Sequence, residues 1–375
     1  MTTVYLIRHG EAEGNVYRRC QGQYDSMLTP RGEKQIEKLA DRFDSVSLDQ
    51  IYASDLYRAY CTAKAIAVRK GMSVEMRPGM REIGMGDWED KPWAELEHRF
   101  SRQFRIWMEE PWNFDKPDSE SVLQAGQRAY DCLQEIAAEN PEKTIAVVTH
   151  GSVIRGILGL TLEIPAQELP KIGWGDNTCV AKLLFSGSKI QVEYKNDASH
   201  LPDDLSTMKV VKWVEKDASR ENYQMWFRPI DWSKDSERIL AFVRMTGKEM
   251  TAEEEQAYLK QTRLQVLQNP RAACIGMVEN LPMAFLRLDV LEESDPNTGV
   301  IDTMSLMPEY QGKGYGPQML GECVSVYREM GKQTLSAKVP ETDERTLSFL
   351  YKNGFTACGN TNGRVQVEKS IQLWK

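Results

Sequence analysis

Two short apolar runs that each close in His-Gly constrain this chain more than any other feature. Val4-Tyr5-Leu6-Ile7 is mostly β-branched or aromatic and reads as a buried strand, ending in Arg8-His9-Gly10. Thr144-Ile145-Ala146-Val147-Val148-Thr149 repeats the design and ends in His150-Gly151. The chain has only 4 histidines, so half of them close such strands. In α/β folds, ligands sit beyond the carboxyl ends of parallel strands. If these strands are neighbours in one parallel sheet, two imidazoles meet at one edge beside Arg8. That edge suits a phosphoryl group, with a nitrogen nucleophile and no metal.

At 375 residues the chain is long for one core, which predicts two domains or more. The formal charge of -8 argues against a general nucleic-acid binder but leaves room for a small anion held by a local arginine cluster. No apolar run approaches the ~20 residues of a membrane span. The N-terminus lacks a basic-then-apolar leader, so a cytoplasmic location is expected, without membrane attachment. The 7 cysteines are scattered and form no C-x-x-C pair, which suits reduced packing thiols better than disulfides or zinc ligands.

Beyond Gly10 runs a polar loop to Ser26 that holds Asn15, Gln21 and Gly22, at a place where substrate contacts belong. Thr29-Pro30 is an N-cap followed by a first-turn proline, so a helix begins there. Ile51–Ala53 reads as a short strand, and Ser54-Asp55 as the cap of a helix carrying Arg58 near its start. Residues 82–125 gather tryptophan, phenylalanine and methionine, either as a satellite core or as a lid wall. A closing hairpin is expected over Cys179–Tyr194. Arg155 belongs on a helix face, His98 on the solvated surface, and His200 in a hydrogen bond pinning the domain's end.

Residues 1–203 resemble the histidine phosphatase superfamily, with its phosphoglycerate-mutase-like fold. The resemblance rests on Leu6-Ile7-Arg8-His9-Gly10-Glu11, Asn15, Gln21-Gly22, Ser54-Asp55-Leu56-Tyr57-Arg58-Ala59, Arg81-Glu82, Gly86-Asp87-Trp88-Glu89, Thr149-His150-Gly151 and Asn196-Asp197 with His200. It implies a three-layer α/β fold with a mostly parallel sheet, and a phosphatase more than a mutase. It implies that His9 attacks phosphorus, that Arg8 and Arg58 clamp the phosphoryl oxygens, and that His150 adds a donor. Glu82 would protonate the leaving oxygen. Asn15, Gln21, Gly22 and Gly151 would touch the phosphate or the leaving group, and no metal or other cofactor is expected. Ala12, Gly14, Met27 and Asp90 depart from the family pattern around the leaving-group pocket.

Pro202–Ser206 is a polar join, and residues 208–375 form a second unit. Lys209–Val214 alternates as a first strand, followed by a mostly helical run to Asn269. Ala273–Val278, Met283–Leu291 and Gly299–Leu306 read as three strands. Then Gln311-Gly312-Lys313-Gly314-Tyr315-Gly316 makes a glycine-rich turn, with Pro317 opening a helix that Gly331 ends. Such a turn aims backbone N–H groups at an anion near a helix N-terminus, as a pyrophosphate requires.

With Met307-Pro308-Glu309-Tyr310 before it and Phe349-Leu350-Tyr351-Lys352-Asn353-Gly354-Phe355 after it, this turn resembles the GNAT acyltransferase family, an α+β fold. The implied ligand is acetyl-CoA, with its pyrophosphate on the backbone of Gln311 to Gly316. Main-chain groups around Met304 and Leu306 would hold the pantetheine arm, and Tyr351 would protonate the departing thiolate. Asp302 is a candidate base. The expected whole is a bifunctional enzyme acting on a phosphate ester and on a small-molecule or peptide amine, with a homodimer as the candidate assembly. The alternatives are a phosphatase with an acyl-CoA-sensing domain, or a mutase-type phosphotransferase.

Overall fold

The computed structural model describes residues 1–187, 189–211, 224–291 and 295–374. The first unit runs β1 (Thr2–Arg8), α1 (Glu13–Tyr17), α2 (Pro30–Phe43), β2 (Gln50–Ala53), α3 (Tyr57–Lys70), β3 (Val74–Met76), α4 (Trp93–Arg99), α5 (Ser101–Glu109), α6 (Val122–Glu139), β4 (Thr144–Thr149), α7 (Gly151–Thr161), β5 (Val180–Ser186) and β6 (Lys189–Asp197). Its sheet has the order β3-β2-β4-β1-β5-β6, with β1 to β4 parallel and β5–β6 a closing antiparallel hairpin. The two His-Gly strands are neighbours, and Arg8 pairs with Thr149 at their common end. Helices on both faces complete three layers, because the central strands are apolar throughout and must be covered twice.

Thr29 accepts from the Gly32 N–H and Pro30 opens α2, as the cap chemistry dictates. The cap of α3 differs from expectation. Ser54 and Asp55 do not cap it; Leu56 holds the N-cap position, and the Tyr57 N–H donates to Asp25 Oδ1 at 2.7 Å, from the loop after β1. The aromatic stretch is not a satellite cluster. Trp88, Leu96, Phe104 and Phe114 belong to the main core on one face of the sheet, with Trp88 fully buried. Five cysteines are buried, Cys61 is half-buried and Cys358 is exposed; none forms a disulfide.

Residues 207–211 form α8 (Thr207–Val211) rather than the start of a strand, and the rest of that expected strand, 212–214, lies outside the described residues. The second unit runs β7 (Trp226–Pro229), α9 (Ser236–Arg244), α10 (Ala252–Gln268), β8 (Ala273–Val278), β9 (Leu281–Asp289), β10 (Thr298–Leu306), α11 (Tyr315–Glu329), β11 (Thr334–Pro340), α12 (Glu344–Lys352), β12 (Thr356–Thr361) and β13 (Arg364–Ser370). Its sheet has the order β12-β13-β11-β10-β9-β8-β7, antiparallel except for β10–β11. β7 interrupts the expected helical run, and α11 starts at Tyr315, two residues before Pro317.

The units dock through α1 against α11. Arg19, buried, bonds Glu322 at 3.0 Å, Ser325 Oγ at 3.0 Å and Asp90 Oδ1 at 2.9 Å. Arg328 pairs with Glu13 at 2.8 Å, and Tyr17 packs over Gly321. At the far ends Trp374 stacks on Tyr60, and exposed His98 stacks on Trp226.

Candidate active sites

The ends of β1, β2 and β4 lie side by side, so Arg8-His9, Ser54 and His150 share one edge. The His9 N–H donates to the Thr149 carbonyl and the Ser54 N–H to Val148, which prolongs the ladder past the strands. The rings of His9 and His150 stand 5.1 Å apart, tilted by 55°. His9 Nδ1 lies 2.7 Å from the Gly10 carbonyl, which can only accept. Nδ1 therefore carries the proton, and the lone pair is left on Nε2. His150 Nε2 meets Ser54 Oγ at 2.9 Å.

The guanidinium groups are held by backbone carbonyls. Arg58 donates to Gly22 at 2.7 Å and Tyr24 at 2.9 Å, and Arg8 to Gly175 at 2.6 Å. A side chain at Gly151 would stand 3.4 Å from Arg8 Nε, so a glycine there lets the guanidinium approach the start of α7. Arg8 Nε, Arg58 Nε and His150 Nδ1 are buried without a hydrogen-bond partner. An unsatisfied buried polar group costs about 1–3 kcal/mol, so each of the three has a use for a hydrogen-bonding ligand.

Both imidazoles are pushed well below the ordinary histidine range. Burial is the largest cause, and the positive charges of Arg58 and Arg8 add to it. They are neutral at neutral pH, as a nitrogen nucleophile requires. Burial also pushes the Arg58 guanidinium down to about 10, against the pull of Glu82 and Asp25. Glu82 accepts from the Ser152 N–H at 3.2 Å, at the N-terminus of α7. Its own carbonyl takes Arg128 and Gln23, each at 3.2 Å.

Arg8, Arg58, Glu82, His9, His150, Gly22 and Gly151 thus share contacts or neighbours. Gln21 does not join them; its side-chain Oε1 accepts from Ser26 Oγ at 2.7 Å and the side chain lies against Gly14, towards the second unit. Asn15 Oδ1 accepts from the Ala12 N–H and so helps start α1. Arg155 stacks on Trp174, which itself flanks Gly151, so it lies nearer the site than a plain helix face. His200 pins the domain's end through Thr178 and Arg42, as expected. Sequence reasoning missed Ser54 as the partner of His150, Asn177, which donates to the His9 carbonyl at 3.0 Å, and Arg128 behind Glu82. Among the described residues, no group of three or more His, Cys, Asp or Glu is arranged to hold a metal, and no helix is long and apolar enough to cross a membrane.

In the second unit, β10 pairs with β11 only from Thr298 to Ile301. Beyond Ile301 that ladder ends while β10 continues to Leu306, and a cleft of about 890 Å³ opens there. Met304, Leu306, Gln311, Gly312, Lys313, Gly314 and Gly316 all line it. Gly312 and Gly314 have positive φ of 79° and 86°, and Gly314 is the N-cap of α11. Tyr315 is not among the lining residues: its ring is buried in the core beneath the turn, which leaves its backbone to face a ligand. Tyr351 is not among the residues lining the cleft either. α12 turns Ser348, Phe349 and Lys352 to the cleft and leaves Tyr351 43% exposed on another face. Asp302 is committed to Arg287 at 2.8 Å. Burial pushes the Asp302 carboxyl up, but Arg287 outweighs it and the net shift is down.

A parallel strand edge with two neutral imidazoles and two arginines defines a phosphoryl-handling protein of the histidine type, here joined to a unit with an anion-ready turn. The family model of the histidine phosphatase superfamily (branch 1) matches residues 4–198, and that of the acetyltransferase (GNAT) family matches 230–355. The chain belongs to the histidine phosphatase superfamily and carries a GNAT domain behind it. It is 34% identical to phosphoserine phosphatase 1 of Hydrogenobacter thermophilus, over 46% of this chain and 82% of that one. It is 30% identical to the probable phosphoglycerate mutase GpmB of Erwinia tasmaniensis, over 54% of this chain and 96% of that one. Among solved structures, Bacillus stearothermophilus YhfR superposes with a TM-score of 0.52 at 31% identity, covering 53% of this chain and 99% of that one.

Proposed function

We propose that residues 1–203 hydrolyse phosphate monoesters, without a metal, through a phosphohistidine on His9. The observation that carries this reading is the neutral His9–His150 pair, 5.1 Å apart beside Arg8 and Arg58. His9 Nε2 forms the N–P bond as the ester P–O bond breaks, and Glu82 gives the leaving oxygen its proton. Water then attacks phosphorus, Glu82 takes a proton from it, and His9 leaves neutral. Arg8, Arg58 and His150 hold the phosphoryl oxygens throughout. The test is hydrolysis of an aryl phosphate in EDTA, followed by a panel of small phosphate monoesters. Phosphoserine heads the panel because a relative is named for it. Turnover unaffected by EDTA is expected; loss on chelation and recovery with a metal ion would contradict the route.

Residues 208–375 would bind acetyl-CoA, with the unpaired edge of β10 facing the pantetheine amides and the Gln311–Gly316 backbone facing the pyrophosphate. Acetyl transfer to an amine is the reading that the domain family favours. A second reading, an acyl-CoA-binding unit without turnover, is favoured by the places of Tyr351 and Asp302, neither of which offers a proton acceptor or donor to the cleft. Calorimetry with acetyl-CoA, then thiol release over an amine panel, separates the two. Binding with thiol release means transfer; binding alone means a sensor.

A further inference from the structure

The 890 Å³ cleft is not enclosed by the GNAT unit alone. Its opposite wall is the loop that leaves the phosphoryl site: Glu11, Val16, Tyr17 and Arg18, then Thr29 to Arg31 at the start of α2. Six cations line the cleft, Arg18 and Arg31 from the first unit and Lys313, Arg345, Lys352 and Lys369 from the second, of which Lys369 is already paired with Glu13 at 3.3 Å. Glu11 is the single acidic residue among those lining it, and it is 1% exposed and already paired. In a chain of net charge -8, so many cations around one cleft are a field for a polyanion.

The two first-unit arginines are placed rather than loose. Arg18 is the C-cap of α1 in a left-handed conformation, φ 54°, which a non-glycine residue adopts only at a cost. Its Nη2 donates to the Val211 carbonyl at 2.8 Å, which ties it to the end of α8 at the cleft. Arg31 is 28% exposed, and its Nη1 is braced by Glu11 at 2.9 Å. Glu11 also accepts from Thr29 and Thr207 hydroxyls, which fixes the brace. Arginine forks held in this way match phosphate oxygens.

We propose that Arg18 and Arg31 of the phosphatase unit complete the acetyl-CoA site by binding its phosphate groups, so that the donor site is built by both domains. The proposal rests on the cofactor reading above. The test is calorimetric titration of CoA into the full chain and into Arg18→Gln, Arg31→Gln and Arg31→Lys, each checked by thermal melting. Arg18→Gln and Arg31→Gln are expected to weaken CoA about tenfold each, the loss of one charge-assisted hydrogen bond. Arg31→Lys keeps the charge but loses the fork, so its affinity should fall between those of the parent and Arg31→Gln. If Arg31→Gln melts early, because Glu11 loses its partner, Arg18→Gln and Arg31→Lys decide the matter. Binding by the parent with unchanged affinity in Arg18→Gln and Arg31→Gln would overturn the composite wall and leave the cofactor reading standing. No binding by the parent would overturn both.

Discussion

The two candidate sites use opposite construction. At the phosphoryl edge the chemistry is in side chains drawn from five separate segments, at residues 8–9, 54–58, 82, 150 and 174–177. His9, His150 and Arg58 are buried, and each is held by a partner: Gly10 for His9, Ser54 for His150, Gly22 and Tyr24 for Arg58. In the cofactor cleft the ligand-facing groups are mostly backbone, from the unpaired end of β10 and the turn before α11. A side-chain site fails when one residue is changed. A backbone site fails when the chain's conformation is changed and tolerates most side chains. The segment Glu11–Arg31 belongs to both, as the loop leaving one and a wall of the other.

The sharpest contrast comes from removing single side chains. His9→Ala should lower phosphate-ester hydrolysis at least 1,000-fold, about 4 kcal/mol, measured as initial rates against an aryl phosphate. Next in size is the joint that sets the two sites at one loop. Arg19→Ala leaves Glu322 with only Arg271, and Asp90 without its partner. A loss of about 3 kcal/mol is expected in denaturant unfolding, with the domains separating before either melts.

Smaller effects test the backbone half. Gly314→Ala forces a left-handed residue at φ 86° into a side chain's disfavoured region and should weaken acetyl-CoA about tenfold by calorimetry. Lys313→Ala, on the same turn, should cost no more than about threefold. Equal losses would mean that the turn works through its side chains.

The histidine pair also sets a pH dependence. Both folded values lie below the unfolded value of about 6.5, so below that pH the unfolded chain binds more protons. Their stability contribution is complete above pH ~6.5 and is lost as pH falls towards the folded values. Melting temperature should therefore drop between pH 7 and 5, and less steeply in His9→Ala, which has one imidazole fewer to protonate. The acid limb of hydrolysis should likewise lie below 6.5.

Much of the phosphoryl edge was legible because strand ends leave a strong local record: a β-branched run followed by His-Gly, twice. Topology then needed only one assumption, that the two strands are adjacent. The partners were illegible because they are tertiary. Nothing near Ser54 or Asn177 in the chain announces a histidine across the sheet edge. Asp25 capping α3 from 32 residues away is the same case. Tyr351 shows how fine the limit is: one residue along a helix turns a side chain by about 100°, enough to take it off the cleft. The alternation of Lys209–Val214 pointed to a strand, but Ser206 Oγ accepts from the Lys209 N–H and starts α8. A cap outweighed β propensity there.

The most direct test traps the intermediate. The protein is mixed with an aryl phosphate, quenched in base within milliseconds, digested, and the His9 and His150 peptides are weighed. A phosphoryl group on the His9 peptide, stable in base and lost in acid, is the expected result. Phosphate on the His150 peptide, or on neither while product forms in a burst, would contradict attack by His9.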